Sequence, residues 1–199
     1  MNFAQLLTLD PSSFRRRPQV PGLGYSTFYL PSVGGYELLY ANLASYDLGN
    51  LPMPSSGGSY NVVYNTSNGG GSGMTYMYWN NVEKIIVDAS NFSIGTSGVG
   101  RPIRHFDYTD NTTYPLRTLM PSGGYIFHIV DNLDGTYRHY ESAPTDSASA
   151  PFFDWGAGAT PVIGTLGLTI ADSLNNTLHI VNRADHVNST AQVCLNYTV

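Results

Sequence analysis

The chain has few charged side chains and almost no lysine. Charged residues make up 12% of its 199 residues, about half the usual share for a soluble domain, and Lys84 is its one lysine. Long helix-forming side chains are therefore scarce, whereas 15 Tyr and 21 Gly are present. This composition predicts a β-rich protein whose surface is covered by Ser, Thr, Asn, Gly and Tyr.

The chain also has a single cysteine and no long apolar run, and we expect no leader sequence at its start. Because Cys194 has no partner, no intrachain disulfide is possible. Its segment, AQVCLNYTV, alternates like a strand and holds no basic residue, which predicts a buried structural thiol rather than a nucleophile. The segment MNFAQLLTLD has neither the charged region nor the cleavage site of a secretory signal, and we expect a soluble polypeptide.

The charge balance argues against nucleic-acid binding by the molecule as a whole. The net charge is −5, and Arg15, Arg16 and Arg17 form the one basic cluster. Three arginines are few for a tail that neutralises a genome. A solvated or salt-bridged arm is the simpler interpretation, and nucleic-acid contact is not expected beyond these three residues.

Residues 1–24 are predicted to form an N-terminal arm, and residues 25–199 one β domain. Pro18 and Pro21 end the first segment, and helix is expected mainly before Pro18. From Tyr25 onward the apolar pattern has a period of two, with NTSNGGGSGM (65–74) as a flexible loop. Strands are expected at 25–30, 35–42, 59–66, 74–79, 83–88, 103–108, 115–120, 124–131, 136–141, 162–170, 177–183 and 191–198. This order favours an all-β fold, either an antiparallel β-sandwich or a jelly-roll barrel with a short N-terminal arm.

One short pattern occurs three times. PSVGGYELLYANL (31–43), PSSGGSYNVVYNT (54–66) and PSGGYIFHIVDNL (121–133) each place Pro-Ser and a glycine pair before a tyrosine. Their unequal spacing excludes the fixed period of a solenoid or propeller. Each copy is therefore interpreted as a turn that precedes a strand.

The segment GYIFHIVDNLDGTYRHYES predicts a β-hairpin that turns at residues 132–135. A type I turn with a glycine bulge is expected, with a positive φ angle at Gly135. The bulge shifts the register by one residue, so that His128 opposes Tyr140 rather than His139. The two histidines then lie on opposite faces, which argues against a metal site between them.

Motifs of catalysis are absent from the sequence. It contains no G-x-S-x-G elbow and no phosphate-binding loop, and DNLDG lacks the alternating oxygen ligands of a calcium loop. His105 and Asp107 share a strand face in RHFDY, where a salt link is expected and a third metal ligand cannot be named. No catalytic residue, cofactor or metal ligand is assigned, and we expect the protein not to be an enzyme.

Aromatic residues are the candidate binding groups. MTYMYWNN places Tyr76 and Tyr78 on one strand face and Trp79 on the other, and a long excursion contains Phe152, Phe153 and Trp155. Exposed Tyr and Trp stack on sugar rings, and they also anchor protein interfaces. A third interpretation is that the excursion's aromatics fold back onto the chain's own core.

The arm FRRRPQVPG, the succession of short strands, and the terminal pair LHIVNR and AQVCLNYTV resemble single jelly-roll structural proteins of non-enveloped viruses and phages. In such proteins a two-sheet barrel is held in a ring or lattice while an arm reaches onto a neighbour. The resemblance implies a virion structural protein that assembles with copies of itself and with other virion proteins, without membrane contact. The possible inter-subunit arm consists of Phe14, Arg15, Arg16 and Arg17.

The low arginine count favours a minor capsid, vertex, spike or decoration role over a genome-binding coat. The alternative function is carbohydrate binding by a β-sandwich, as in a lectin or adhesin module that recognises host glycans. Its aromatic platform would consist of Tyr76, Tyr78, Trp79, Phe152, Phe153 and Trp155.

Overall fold

The computed structural model describes residues 25–51, 63–70, 73–80, 85–89, 97–148, 150–151, 154–155, 167–183 and 186–199. Within these ranges the strands are β1 (Val63–Gly70), β2 (Gly73–Asn80), β3 (Ile85–Ala89), β4 (Ser97–Gly98), β5 (Ile103–Tyr108), β6 (Ile126–Asp131), β7 (Tyr137–Ser142), β8 (Ala150–Pro151), β9 (Asp154–Trp155) and β10 (His186–Asn188). The helices are α1 (Val33–Asn42), α2 (Ser173–Val181) and α3 (Thr190–Leu195), with 3-10 turns at Ala44–Tyr46 and Ile170–Asp172.

The ladders between the described strands are antiparallel, and one isolated parallel bridge joins Tyr64 of β1 to Val99. The strands form two three-stranded sheets, β1-β2-β3 and β5-β7-β6, and two small pairs, β4-β8 and β9-β10. The period-two segments at 74–79, 83–88, 103–108, 124–131 and 136–141 coincide with β2, β3, β5, β6 and β7. Antiparallel pairing and these five strands are therefore confirmed.

The prediction that helix is confined mainly to residues before Pro18 is wrong. Segments 35–42, 177–183 and 191–198, predicted as strands, lie largely in α1, α2 and α3. The predicted terminal strand pair is therefore a pair of helices. Segment 25–30 contributes a single bridge, between Tyr29 and Ile103, and 115–120 is a turn region with a bridge at Leu119.

Side-chain caps explain why these segments are helical. The Ser32 hydroxyl accepts a hydrogen bond from the Gly35 amide at the start of α1, and Ser189 does the same for Gln192 at α3. Thr169 and Asp172 form a reciprocal capping box at the 3-10 turn that leads into α2. The chain therefore begins α1 and α3 at a serine whose hydroxyl satisfies an otherwise unpaired amide.

The cap at Ser32 also changes the interpretation of the repeated pattern. In PSVGG the serine starts a helix, so this copy is not a turn before a strand. In PSGG the Met120 amide donates to the Gly124 carbonyl, and Gly123 has a φ angle of 84°, so this copy is a turn that precedes β6. Most of the copy at 54–66 lies outside the described residues.

The main core joins α1 to both three-stranded sheets. Its buried members are Tyr29, Val33, Tyr36, Leu39, Tyr40, Leu43, Ala44, Leu51, Tyr64, Ile103, Phe127, Tyr140 and Ile170. A second cluster, built from Phe106, Met120 and Ile126, covers the other face of β5-β7-β6. This sheet is therefore packed on both faces, whereas an antiparallel sheet often has one face in solvent.

Within the segment 65–74, predicted as a flexible loop, residues 65–70 belong to β1 and residues 73–74 belong to β2. Residues 65–68 are buried, and the Ser67 amide donates to the Pro31 carbonyl at 2.7 Å. The Asn68 side-chain oxygen accepts from the Val33 amide, also at 2.7 Å. The polar composition of this segment predicted a loop. In the structure, Ser67 and Asn68 are instead hydrogen-bond partners for the backbone at the start of α1.

The hairpin β6-β7 has the predicted register. His128 pairs with Tyr140, Ile129 pairs with His139, and Gly135 has a φ angle of 89°. The turn itself is not type I, because Leu133 also has a positive φ, 61°, where a type I turn requires a negative angle. The predicted register of the hairpin was therefore correct, and the predicted turn type was wrong.

Candidate functional site

The predicted site residues fall partly outside the described ranges. Phe14, Arg15, Arg16, Arg17, Phe152 and Phe153 lie outside them. Tyr76, Tyr78 and Trp79 lie in β2, the middle strand of β1-β2-β3, whereas Trp155 lies in β9 and pairs with His186 of β10. The structure therefore places the described members of the aromatic platform in two different sheets, and the arm stays a prediction.

The thiol of Cys194 is buried, as the sequence predicts. It lies in α3 rather than in a strand, and burial raises its pKa. A side-chain carbon added at Gly100 would stand 2.7 Å from its sulfur atom, so the backbone of residue 100 packs directly against the thiol. A neutral, enclosed thiol of this kind is a packing group.

The predicted link between His105 and Asp107 is wrong. Arg138 binds both oxygens of Asp107, at 2.8 and 2.9 Å, and the hydrogen bonds from Arg138 lower the pKa of this carboxyl. The Nδ1 atom of His105 instead lies 2.9 Å from the hydroxyl of Tyr29. Arg138 stands directly opposite Asp107 on β7 and reaches it as a bidentate partner, a geometry that histidine does not offer.

A buried arginine, Arg101, connects three separate stretches of chain. Its Nε atom donates to Asp146 at 2.6 Å, and its Nη atoms donate to the carbonyl oxygens of Gly49 at 2.7 Å, Asn50 at 3.1 Å and Ala143 at 3.1 Å. Arg101 is only 1% exposed. Burial is the largest single effect on its pKa and works to lower it, but Asp146 and Tyr64 together outweigh burial and the pKa is raised. The guanidinium therefore stays charged.

Tyrosine hydroxyls complete this network. Tyr64 donates to both oxygens of Asp146 at 3.2 Å, and Tyr36 accepts from the Arg101 amide at 3.0 Å. Burial raises the pKa of Tyr36 and Tyr64 well above the ordinary value and that of Tyr40 to about 12. All three hydroxyls thus remain protonated, and a protonated phenol is a hydrogen-bond donor rather than a base. The Arg101 network can hold loops in place, and it offers no activated nucleophile.

The loop bound by Arg101 has an unusual backbone. Asp47, Gly49 and Asn50 have φ angles of 56°, 80° and 47°, all in the left-handed region. Aspartate and asparagine adopt this region at a cost, which the surrounding structure must offset. The Arg101 guanidinium contacts two carbonyls of this loop, and we infer that it keeps the loop in this conformation.

A second buried pair lies on β5 and β7. Arg104 binds Glu141 with two hydrogen bonds, at 2.9 and 3.2 Å, and the Ser122 hydroxyl donates to the same carboxylate. The guanidinium lies 3.9 Å from the ring centre of Tyr25 and 4.8 Å from that of Phe28. Both the charge and the flat face of Arg104 are therefore used within the fold.

An exposed arginine–tyrosine stack lies at the end of α1. The Arg117 guanidinium lies 3.5 Å from the ring centre of Tyr46, and its Nε donates to the carbonyl of Asn42, the last residue of α1. Tyr46 is 55% exposed, and Leu119, two residues beyond Arg117, is 58% exposed. Arg117 has a φ angle of 70°, which is strained for a residue with a side chain. We call Tyr46, Arg117 and Leu119 the stack surface.

Two features are absent from the described ranges. There, no group of three or more His, Cys, Asp or Glu side chains is arranged to hold a metal ion. No helix in this part of the chain is long and apolar enough to cross a membrane.

Comparison with known proteins gives no relative for this chain. No family model matches it, and neither a curated protein nor a solved structure matches it. Function is therefore argued from the geometry of the described residues.

Proposed function

We propose that the chain is a virion structural protein that acts by self-assembly, in a capsid, minor capsid, vertex, spike or decoration role. The observation that carries this proposal is the stack surface. Tyrosine and arginine are enriched among the residues that dominate binding at protein interfaces, and Tyr46 and Arg117 are already ordered against each other. Because Arg117 is held by the Asn42 carbonyl, less conformational entropy is lost on association.

The proposed partner is a second copy of the chain. A subunit that assembles needs surface groups fixed by its own core, and the Arg101 and Arg104 networks fix the loops beneath the surface. A β-sandwich or jelly-roll arrangement of residues 25–199 is part of the proposal. Antiparallel pairing of the described sheets supports this arrangement, although α1, α2 and α3 stand where three of its strands were predicted.

The proposal is tested by measuring the native mass of the purified protein over a range of concentrations, by analytical ultracentrifugation. We expect the wild type to form oligomers, and we expect Leu119→Ser and Tyr46→Ser to weaken them. Leu133→Ser is the matched control, because Leu133 is an exposed leucine at a hairpin tip away from the stack surface in sequence. Equal mass distributions for Leu119→Ser, Tyr46→Ser and wild type would exclude the stack surface as the contact.

Truncation before Pro18 tests the predicted arm separately. Loss of oligomers with an intact fold supports an inter-subunit arm that contains Phe14, Arg15, Arg16 and Arg17. Unfolding of the truncated chain shows instead that these residues cover the subunit's own core.

A wild-type protein that stays monomeric at high concentration, joins no particle and binds a defined glycan would replace this proposal with the carbohydrate-binding alternative. Substitution of Trp79 or Trp155 by Ala would then reduce glycan binding.

A further inference from the structure

The strand β7 buries a histidine whose ring has one unpaired nitrogen. His139 is fully buried, and its ring is stacked on Phe106 with a centroid distance of 5.1 Å and an interplanar angle of 5°. Its Nδ1 atom lies 3.1 Å from the Tyr137 carbonyl oxygen. A carbonyl only accepts hydrogen bonds, so Nδ1 carries the proton in the neutral ring. Its Nε2 atom has no hydrogen-bond partner among the described residues.

A proton added to Nε2 would enter an enclosed aromatic site. The ring of Tyr114 stands edge-on to His139 at 6.3 Å, and Phe106 covers one face. Asp107 on β5 and Asp110 in the following loop are the carboxylates that favour the charged ring, but burial is the larger effect and lowers the pKa of His139. A buried charge without a hydrogen-bond acceptor is costly.

Two more histidines flank the same sheet on its other face. His105 of β5 and His128 of β6 both pair with Tyr140, at centroid distances of 5.8 and 5.7 Å. Burial lowers the pKa of both histidines.

The groups that face these two histidines are few. Tyr29, Tyr140 and Arg138 face His105, with Asp107 as its acidic neighbour, and Tyr140 faces His128. Arg138 disfavours a positive charge on His105, whereas Asp107 favours one. The effect of this one acidic neighbour is therefore opposed by Arg138.

We propose that the β5-β7-β6 sheet is an acid-sensitive element, in which protonation of His139, assisted by His105 and His128, loosens the sheet. The sheet packs on both the main core and the second cluster, so its loosening would uncouple these two clusters. The proposal stands independently of the proposed function, because it rests on the surroundings of buried His139 and half-buried His105 and His128 alone.

The direction of the effect follows from proton linkage. A histidine with a lowered pKa in the folded state binds its proton less readily than the unfolded chain, whose histidines have the ordinary value of 6.5. The stability that these rings contribute is complete above that value and is lost as the pH falls below it. Asp107, Asp110 and Asp134 have lowered pKa values, below the ordinary 3.8, so they act in a separate and more acidic range.

Hydrogen exchange on the full chain, followed by mass spectrometry at about pH 7.5, 6.5 and 5.5, tests the proposal. After correction for the intrinsic exchange rate, the open fraction of β5, β6 and β7 should rise with acidity by up to about tenfold per pH unit for each titrating histidine. In His139→Phe, which keeps an aromatic ring on Phe106, this rise should be smaller. The control His179→Gln, an exposed histidine on α2, should respond like the wild type.

A wild-type sheet that opens equally at all three pH values would overturn the proposal, and so would a His139→Phe variant with the full wild-type response. If His139→Phe does not fold, the imidazole proton signals of the wild type decide the question by NMR titration. A His139 signal that titrates below 6.5 supports the proposal, and one that titrates at or above 6.5 refutes it.

Discussion

Replacement of Arg101 by methionine tests whether the buried network holds the fold together. Methionine keeps much of the aliphatic volume and removes the charge together with every guanidinium donor. The carbonyls of Gly49, Asn50 and Ala143 and the carboxylate of Asp146 would then each lose a hydrogen bond. The loop with left-handed backbone angles would lose its contact with residue 101 at the same time.

The expected loss of stability is large for a single substitution. Removal of one partner of a buried ion pair costs ~3–5 kcal/mol. Asp146 is 23% exposed, so water recovers part of its solvation, while the orphaned carbonyls add to the cost. We therefore expect the free energy of unfolding to fall by about 4 kcal/mol. For a chain of this length, that loss corresponds to a melting temperature lower by ~8–16 °C.

Urea denaturation monitored by circular dichroism measures this loss, with Arg138→Met as the matched control. The Arg138–Asp107 pair is also bidentate but partly exposed, so its removal should cost less than ~1 kcal/mol. Arg101→Lys should fall between the two, because lysine keeps the charge and loses the planar fork of donors. An Arg101→Met protein no less stable than Arg138→Met would refute the role assigned to this network.

Five further substitutions test three local features, each by the urea midpoint of unfolding. Gly135→Val should cost ~1–3 kcal/mol because of its positive φ, whereas Leu133→Ala, at a side chain that is 91% exposed, should have little effect; equal effects would show that the turn is misassigned. Gly124→Ala should cost ~3 kcal/mol, because its new carbon would stand 1.9 Å from the Ser142 carbonyl oxygen, and a neutral result would contradict this close packing. Ser189→Ala should cost ~1 kcal/mol through loss of the α3 cap, and Ser189→Asp should restore most of it.

The hairpin β6-β7 was predictable because its geometry is set by neighbouring residues. The glycine at 135 accepts a positive φ, and one extra residue in the turn moves His128 opposite Tyr140. The positive φ at Leu133 was not predictable, since leucine rarely adopts it. Local turn chemistry therefore determined the register and left the turn type open.

The helix α2 was missed because its buried face is largely polar. Ser173, Asn176 and Thr177 are buried together with Ile180, so the face that packs against the fold is not an apolar one. The Thr177 hydroxyl hydrogen-bonds to both the amide and the carbonyl of Leu30, each at 3.1 Å. These two backbone groups would otherwise need a neighbouring strand as their partner. This hydrogen bonding across the fold compensates for the lack of apolar residues.

Cap sequences were the available signal for these helices. Thr169 precedes Asp172 by three residues, and Ser189 precedes Gln192 by three, which is the spacing of a capping box. The same serine spacing at Ser32 lacks the acidic or amide residue, since Gly35 stands there. The start of α1 was therefore the hardest of the three to predict.

The Arg101 network was beyond sequence reasoning. Its members come from positions far apart in the chain, with Arg101 and Asp146 separated by 45 residues and Tyr64 and Asp146 by 82. Nothing in the segment VGRPIR indicates that its first arginine, Arg101, is buried. Only tertiary packing brings the guanidinium to the carbonyls of residues 49, 50 and 143.

The strand β7 carries two buried titratable groups, Glu141 and His139, in opposite environments. Glu141 is enclosed with Arg104 and Ser122, whose hydrogen bonds compensate its charge. His139, two residues earlier on the same strand face, has one paired nitrogen and one without a described partner, so it is accommodated only as a neutral ring. A proton on Nε2 therefore creates an uncompensated charge at His139. The acid response of the sheet should begin at this ring, whatever partner the exposed surface binds.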